Sequence, residues 1–418
     1  MITYDKFLLS NGLRVIVHTD KSTPMVCMNI LYDVGARDED ENKTGFAHLF
    51  EHLMFGGSIN IPNYDEPLQK AGGENNAFTT NDITNYYLTL PSKNIETAFW
   101  LESDRMLSLA FTDKSLEVQR NVVIEEFKQR YFNQPYGDVW LALRPLAYKK
   151  HPYKWATIGK EIKHIEDARM EDVKAFFEKF YAPNNAILVV AGDIATDKAM
   201  LLTEKWFGSI PRTTENKRDL PKEPKQTEER KLTLERDVPL NSIYKAYHMC
   251  SRRDKDYFAI DVMSDILSKG NSSRLYNELI KGKQLFSEIN AYVTGDIDEG
   301  LFIVSGNLNE DVKMEDAEKG IDDVLNKLKN ELVNERELTK VKNKIESSMI
   351  FSEMGIQNKA LGLAIAEHLG DAEMVNTEIK KYMEVTSANV KDVAIKILQP
   401  ANCSTLYYLS KKVTGDIS

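Results

Sequence analysis

Two histidines and a glutamate in the stretch His48-Leu49-Phe50-Glu51-His52 are the residues whose types and spacing carry chemistry most directly. In a helix turning about 100° per residue, His52 lies roughly 40° around the axis from His48, and Glu51 roughly 60° to the other side. Two imidazoles four apart then grip one divalent ion, while the carboxylate overhangs the open coordination position. The order is that of H-E-x-x-H reversed, and the chemistry it implies is attack by metal-activated water. By average residue usage such a pentad arises by accident in roughly one chain of this length in a hundred, so a chance pair of core histidines is the weaker reading.

The element that must position these groups reads as a buried helix. Thr44 is the expected N-cap, and Gly56-Gly57 supply residues able to turn left-handed and stop it. Between them Phe46, Ala47, Leu49, Phe50, Leu53, Met54 and Phe55 make the helix apolar nearly all round. Histidines and a carboxylate buried there are costly without a partner, and a cation supplies one. A catalytic zinc takes three protein ligands and keeps one position for water. The third is expected from a helix running from about Asp113 to Phe132, which carries Glu125 and Glu126. Adjacent side chains point about 100° apart, so only one of the two can face the ion, and spacing does not choose between them.

The chain resembles the pitrilysin, insulinase and mitochondrial processing peptidase family of zinc metallopeptidases, most densely over residues 8–195. The resemblance is carried by Asn11-Gly12-Leu13-Arg14-Val15, Gly35-Ala36-Arg37-Asp38-Glu39, the H-x-x-E-H helix, Gly72-Gly73 leading into Asn76-Ala77-Phe78-Thr79, Arg120-Asn121-Val122-Val123-Ile124-Glu125-Glu126, His151-Pro152-Tyr153 and Tyr181-Ala182-Pro183-Asn184-Asn185. It implies zinc as cofactor, Glu126 as the distal ligand beside His48 and His52, and Glu51 as the acid–base group. It also implies an extended peptide substrate held by strand addition along Asn76-Ala77-Phe78. One departure is Gln119, seven residues before the ligand, where the family usually has a glutamate that assists catalysis. Gln119 shares a face with Glu126 and can hydrogen-bond near the metal without adding charge.

Composition narrows the partners. The 418 residues suggest two or more domains. With 54 basic against 64 acidic side chains the net charge is −10, which argues against nucleic acid or an anionic membrane as partner. Cys27, Cys250 and Cys403 are few, odd in number and far apart, so no disulfide framework is expected and a reducing compartment fits. No apolar run approaches a membrane span, and residues 1–10 lack a signal-peptide pattern. A cytoplasmic location is expected, or a periplasmic one if the terminus is trimmed.

Two like halves are expected: residues 1–212 with the zinc site, a proline-punctuated linker over 213–235, and residues 236–418 without a metal motif. Val173, Lys174, Lys179, Pro183 and Asn185 recur at a constant offset of 217 as Val390, Lys391, Lys396, Pro400 and Asn402. The fold class is α+β, each half a mostly antiparallel sheet packed with helices, as the resemblance also implies. His18, His151, His164, His248 and His368 stand alone and are expected to be structural or surface groups. Phe78-Thr79-Thr80 and Tyr86–Leu90 read as a strand pair around an Asn81-Asp82 turn. Family members that bind substrate through the second half carry an arginine and, seven residues on, a tyrosine. Ile280 and Ser287 occupy those positions, counted from Ser273-Arg274-Leu275. A heterodimer whose partner supplies that pair is therefore expected, with a homodimer as the other arrangement. The alternative to an active endopeptidase is a non-catalytic or presenting subunit; a metal-binding module without catalysis would give Glu51 no reason to be acidic.

Overall fold

The computed structural model describes residues 1–215 and 217–411. Its strands form two sheets. β1 (Asp5–Leu8), β2 (Arg14–Thr19), β3 (Met25–Tyr32), β4 (Glu74–Thr79), β5 (Thr84–Pro91) and β6 (Ala186–Gly192) make the first, in the order β1-β2-β6-β3-β5-β4. β7 (Arg230–Arg236), β8 (Ser242–His248), β9 (Phe286–Val293), β10 (Leu301–Leu308) and β11 (Cys403–Ser410) make the second, in the order β7-β11-β8-β10-β9. Five strands correspond one to one. β2 lies parallel to β6 as β7 does to β11, and every other neighbouring pair is antiparallel.

The repeated residues explain how each unit enters its central strand. Pro183 and Pro400 open short 3-10 turns after helices Met170–Phe180 and Ser387–Ile397. Asn185 Nδ2 then donates back to Phe180 O (2.9 Å) and Asn402 Nδ2 to Ile397 O (2.8 Å), satisfying a carbonyl that each helix end leaves open. Each asparagine also donates across, to Asp33 O and to His248 O, fixing the strand beside its neighbour.

Strands β2, β3 and β6 alternate between two cores. Val15, Val17, Met28, Ile30, Leu188 and Val190 pack towards the helices that carry the candidate site. Ile16, Cys27, Leu31, Ile187 and Val189 pack on the other face against Ala360, Leu363 and Ala364 of helix Ile356–Leu369. Both faces are covered, which is why these strands read as largely apolar runs, interrupted in β3 by Asn29, whose buried amide exchanges hydrogen bonds with Asn85 (2.9 Å each).

The compact units do not follow the expected boundaries. One comprises Met1–Lys128, Trp155–Leu220 and Met349–Glu378; the other comprises Gln129–Lys154, Pro221–Ser348 and the described residues from 379 onward. Each half of the chain thus contributes one helix to the other unit. Val139, Leu143 and Ala147 of helix Val139–Ala147 pack against Ala246, Ile303 and Leu406 of the second sheet. At the offset of 217, that helix corresponds to helix Ile356–Leu369. The segment 213–235, expected to be a linker, is tied down: Arg218 pairs with Asp33 and Asp38, Gln226 Nε2 donates to Cys403 O (2.8 Å), and β7 begins at Arg230.

The three cysteines are free. Among the described residues no helix is long and apolar enough to cross a membrane.

Candidate metal centre

The first sheet and two helices build the site. Helix Phe46–Leu53 buries Phe46, Ala47, Leu49, Phe50 and Leu53, leaving His48, Glu51 and His52 half-buried along its remaining face. Thr44 is not its N-cap. That position is Gly45, at φ +87°, where a Cβ would stand 2.5 Å from Ile158 O, so only glycine makes the entry turn. The Thr44 hydroxyl is used elsewhere, on His164 Nδ1 (2.8 Å) and as acceptor for Lys160 N–H (2.8 Å). Beyond the helix Gly57 is left-handed, at φ +93°.

The second helix, Asp113–Phe127, starts at Thr112, whose hydroxyl accepts from Ser115 N–H (3.0 Å). It ends five residues before the expected Phe132 and continues as a wider π-helical turn, Lys128–Phe132. Leu116, Val123 and Phe127 are its buried residues, and Gln119 and Glu126 lie half-buried beside them. Glu125 faces solvent and pairs with Lys128 at 2.7 Å. The adjacent carboxylates thus separate as helical geometry requires, and Glu126 is the one turned towards the histidines.

His48, His52 and Glu126 are the one group of three or more histidine, cysteine or acidic residues whose ligand atoms converge, all within 4.8 Å, among the described residues. His48 Nε2 and His52 Nε2 are 3.3 Å apart, and each is 3.4 Å from Glu126 Oε2. A tetrahedral ion with bonds of about 2.0–2.1 Å separates its ligand atoms by about 3.3–3.4 Å. The triangle therefore has the size of one face of a zinc tetrahedron. The two rings stand at 90° to each other. The side chains are 12 %, 26 % and 27 % exposed for His48, His52 and Glu126, so the point on which they converge is partly open to solvent.

Glu51 is held by a residue that the sequence placed in a strand but gave no role at the site. Thr79 Oγ1, at the end of β4, donates to Glu51 Oε2 at 2.6 Å. Behind it Tyr86 and Tyr181 are buried, and Tyr181 packs at a tilt against Phe50 of the metal helix (ring centroids 4.5 Å, 31° between planes). Burial pushes both phenols well above their ordinary range, and the charge of Glu51 adds to this, so both hydroxyls stay protonated beside it.

β4 is the outer strand of its sheet, paired with β5 in the register Thr79↔Thr84, and the hairpin closes through Thr80 N–H to Ile83 O (2.8 Å). Asn76 is exposed, and Ala77 and Phe78 are half-buried, Ala77 packing towards the metal-helix side and Phe78 towards the opposite face. In the other unit, Ile280 is half-buried in the turn Tyr276–Gly282 and Ser287 lies exposed on β9, its hydroxyl donating to Asn307 O at 3.1 Å. The remaining histidines have ordinary partners: His18 has Thr3 O, His151 accepts from Tyr153 N–H, His164 has Thr44, His248 has Ala147 O, and His368 faces Asp33.

Residues 14–159 match the insulinase family (peptidase family M16), and residues 167–345 match the peptidase M16 inactive domain. The zinc protease PqqE of Helicobacter pylori is 32 % identical over 378 residues, covering 86 % of this chain and 85 % of that protein. A probable mitochondrial-processing peptidase subunit beta of Arabidopsis thaliana is 24 % identical, covering 94 % of this chain and 77 % of that one. The crystal structure of a protease from Helicobacter pylori superposes with a TM-score of 0.92 at 29 % identity, covering 98 % of this chain and 100 % of that one.

Proposed function

The chain belongs to the insulinase (peptidase M16) family, and on that premise we propose that it is a zinc-dependent endopeptidase cleaving unfolded peptides or short polypeptides. The observation that carries the reading is the 3.3–3.4 Å triangle of His48 Nε2, His52 Nε2 and Glu126 Oε2, with Glu51 one position from His52 on the same helix. These three side chains would hold the ion. When bound, zinc lowers the pKa of its water to about 7 and polarises the carbonyl that is attacked.

The chain's own residues do the rest. Glu51 accepts the proton as the water oxygen bonds to the peptide carbonyl carbon. It then delivers that proton to the departing amine as the C–N bond breaks. Thr79, bonded to Oε2, holds the carboxylate in one orientation through both transfers. The outer strand β4 has no strand beside it on one side, where Asn76 Oδ1 takes the Ala77 N–H (2.8 Å); an extended peptide adds there as a further strand by displacing that side chain, and Asn76, Ala77 and Phe78 contact it. Gln119 lies on the ligand face without adding charge.

Members of this family often work as heterodimers. Ile280 and Ser287 cannot donate as an arginine and a tyrosine do, which supports a partner subunit that supplies the pair, with a homodimer as the other arrangement. The test is cleavage of a quenched peptide by zinc-loaded protein, alone and with its co-purified partner, beside a Glu51→Gln variant. Zinc retained with turnover lost by about 10²–10⁴-fold in the variant is the expected result. Undiminished turnover by zinc-loaded Glu51→Gln would refute it.

A further inference from the structure

The entrance to the metal helix is held by a buried charge from outside the helix. Gly45, its N-cap, has no side chain to satisfy the first backbone N–H groups. Glu39 does so instead: Oε2 accepts from Gly45 N–H at 2.9 Å and Oε1 from Ala47 N–H at 2.8 Å. Glu39 is 8 % exposed. Burial pushes its carboxyl up to about 8, while the Ala47 and Gly45 N–H groups and Trp155 pull towards the charged form. Both oxygens face N–H donors at the positive end of a helix, so the charged form is the one this geometry satisfies.

Glu39 is itself held from several sides. It follows the short 3-10 turn Ala36–Asp38, whose two charged side chains are both paired. Buried Arg37 pairs with Asp82 (2.8 Å), Asp38 Oδ2 accepts from Gly35 N–H (3.0 Å), and Arg218 Nε donates to Asp38 Oδ1 (2.6 Å). Trp155 Nε1 donates to Ala36 O (2.9 Å). The carboxylate is therefore fixed in place rather than free to follow the helix.

A threonine cap would satisfy a helix end without burying a charge, but a Cβ at Gly45 would stand 2.5 Å from Ile158 O, and a buried charge is weak evidence for stability alone. What the arrangement adds is position. Ala47 precedes His48 directly, and Glu51 lies one turn on, so clamping the first turn fixes where a ligand and the acid–base group stand.

We propose that Glu39 is a positioning residue for the metal helix: its two charge-assisted bonds to Gly45 and Ala47 set the placement of His48 and Glu51. This rests on the zinc reading above. Two variants test it. Glu39→Gln keeps the shape but can accept through only one atom; Glu39→Met removes the charge and both acceptors. Both are measured in the full chain for zinc affinity by chelator competition, the visible spectrum of the cobalt(II)-loaded protein, amide exchange over residues 45–49 and the urea midpoint.

The expected result is zinc affinity weakened about 10–100-fold in both. A shifted cobalt spectrum and faster exchange at 45–49 accompany it; Glu39→Met, which strands two N–H donors, lowers the urea midpoint, while Glu39→Gln, which keeps one acceptor, lowers it less. Wild-type zinc affinity and cobalt spectrum in both variants would overturn the proposal. So would a zinc loss accompanied in both by an equal loss of global stability. If the wild-type chain itself binds no zinc, the zinc reading fails, and the exchange measurement still decides whether Glu39 clamps the helix.

Discussion

Glu125→Gln and Glu126→Gln form a matched pair of perturbations one residue apart. Glu126 Oε2 lies 3.4 Å from both histidine nitrogens, whereas Glu125 is 62 % exposed and bonded to Lys128. A structural four-ligand zinc site binds with about 10–16 kcal/mol at neutral pH, so one ligand accounts for roughly 3–4 kcal/mol, or about 10²–10³-fold in affinity. Glu126→Gln is therefore expected to weaken zinc by that factor and abolish turnover at ordinary zinc concentrations. Glu125→Gln loses an exposed ion pair, worth less than about 1 kcal/mol, and leaves zinc affinity unchanged. Competition against a chromophoric chelator measures both. Equal effects, or the larger effect at Glu125, would refute the assignment of the third ligand and the helical argument behind it.

Further outcomes follow from the same contacts. Thr79→Val removes a charge-assisted bond from Glu51, and kcat is expected to fall on the order of tenfold with KM little changed; an unaltered kcat would remove Thr79 from its role. Arg105 and Glu102, each 2 % exposed, form a buried pair at 2.5 Å to which the Tyr64 hydroxyl also donates. Arg105→Met strands Glu102 and lowers the unfolding free energy by about 3–5 kcal/mol, part of which Arg105→Met/Glu102→Leu restores; a single variant with a wild-type urea midpoint would contradict this. At Asp33, burial raises the carboxyl, but the Arg218 hydrogen bond and the charges of His368, Arg218 and Arg37 outweigh it, and the net shift is downward. Its contribution is therefore present above the unfolded value of about 3.9 and lost as pH falls below it. Asp33→Asn should flatten the acid limb of stability against pH, and an unchanged slope would count against the network.

What could be read from the sequence was what local periodicity controls. His48, Glu51 and His52 share a helix face because four residues make about one turn, and no tertiary contact was needed to see it. The recurring Pro183/Asn185 and Pro400/Asn402 pairs marked the duplicated turn that feeds the central strand of each sheet. Choosing Glu126 over Glu125 required resemblance, because both sit on the same helix and only packing of Leu116, Val123 and Phe127 fixes its rotation. The N-cap expected at Thr44 was displaced because its hydroxyl bonds His164, 120 positions away, and the Glu39 carboxylate, folded back from the preceding turn, took over the helix end. Thr79 was legible as part of a strand, but its hydrogen bond to Glu51, 28 positions away, had no local signature. The exchange of helices Val139–Ala147 and Ile356–Leu369 was equally hidden, since each is amphipathic or apolar enough to cover either sheet and sequence order suggested the nearer one.

The central claim is that one tetrahedral ion sits on His48, His52 and Glu126, and anomalous diffraction across the zinc absorption edge from zinc-loaded crystals tests it most directly. The expected result is a single strong peak about 2.0–2.2 Å from His48 Nε2, His52 Nε2 and a Glu126 carboxylate oxygen, with a fourth position open. A zinc-loaded crystal with the peak elsewhere, or with these three side chains turned away from any peak, would contradict the account.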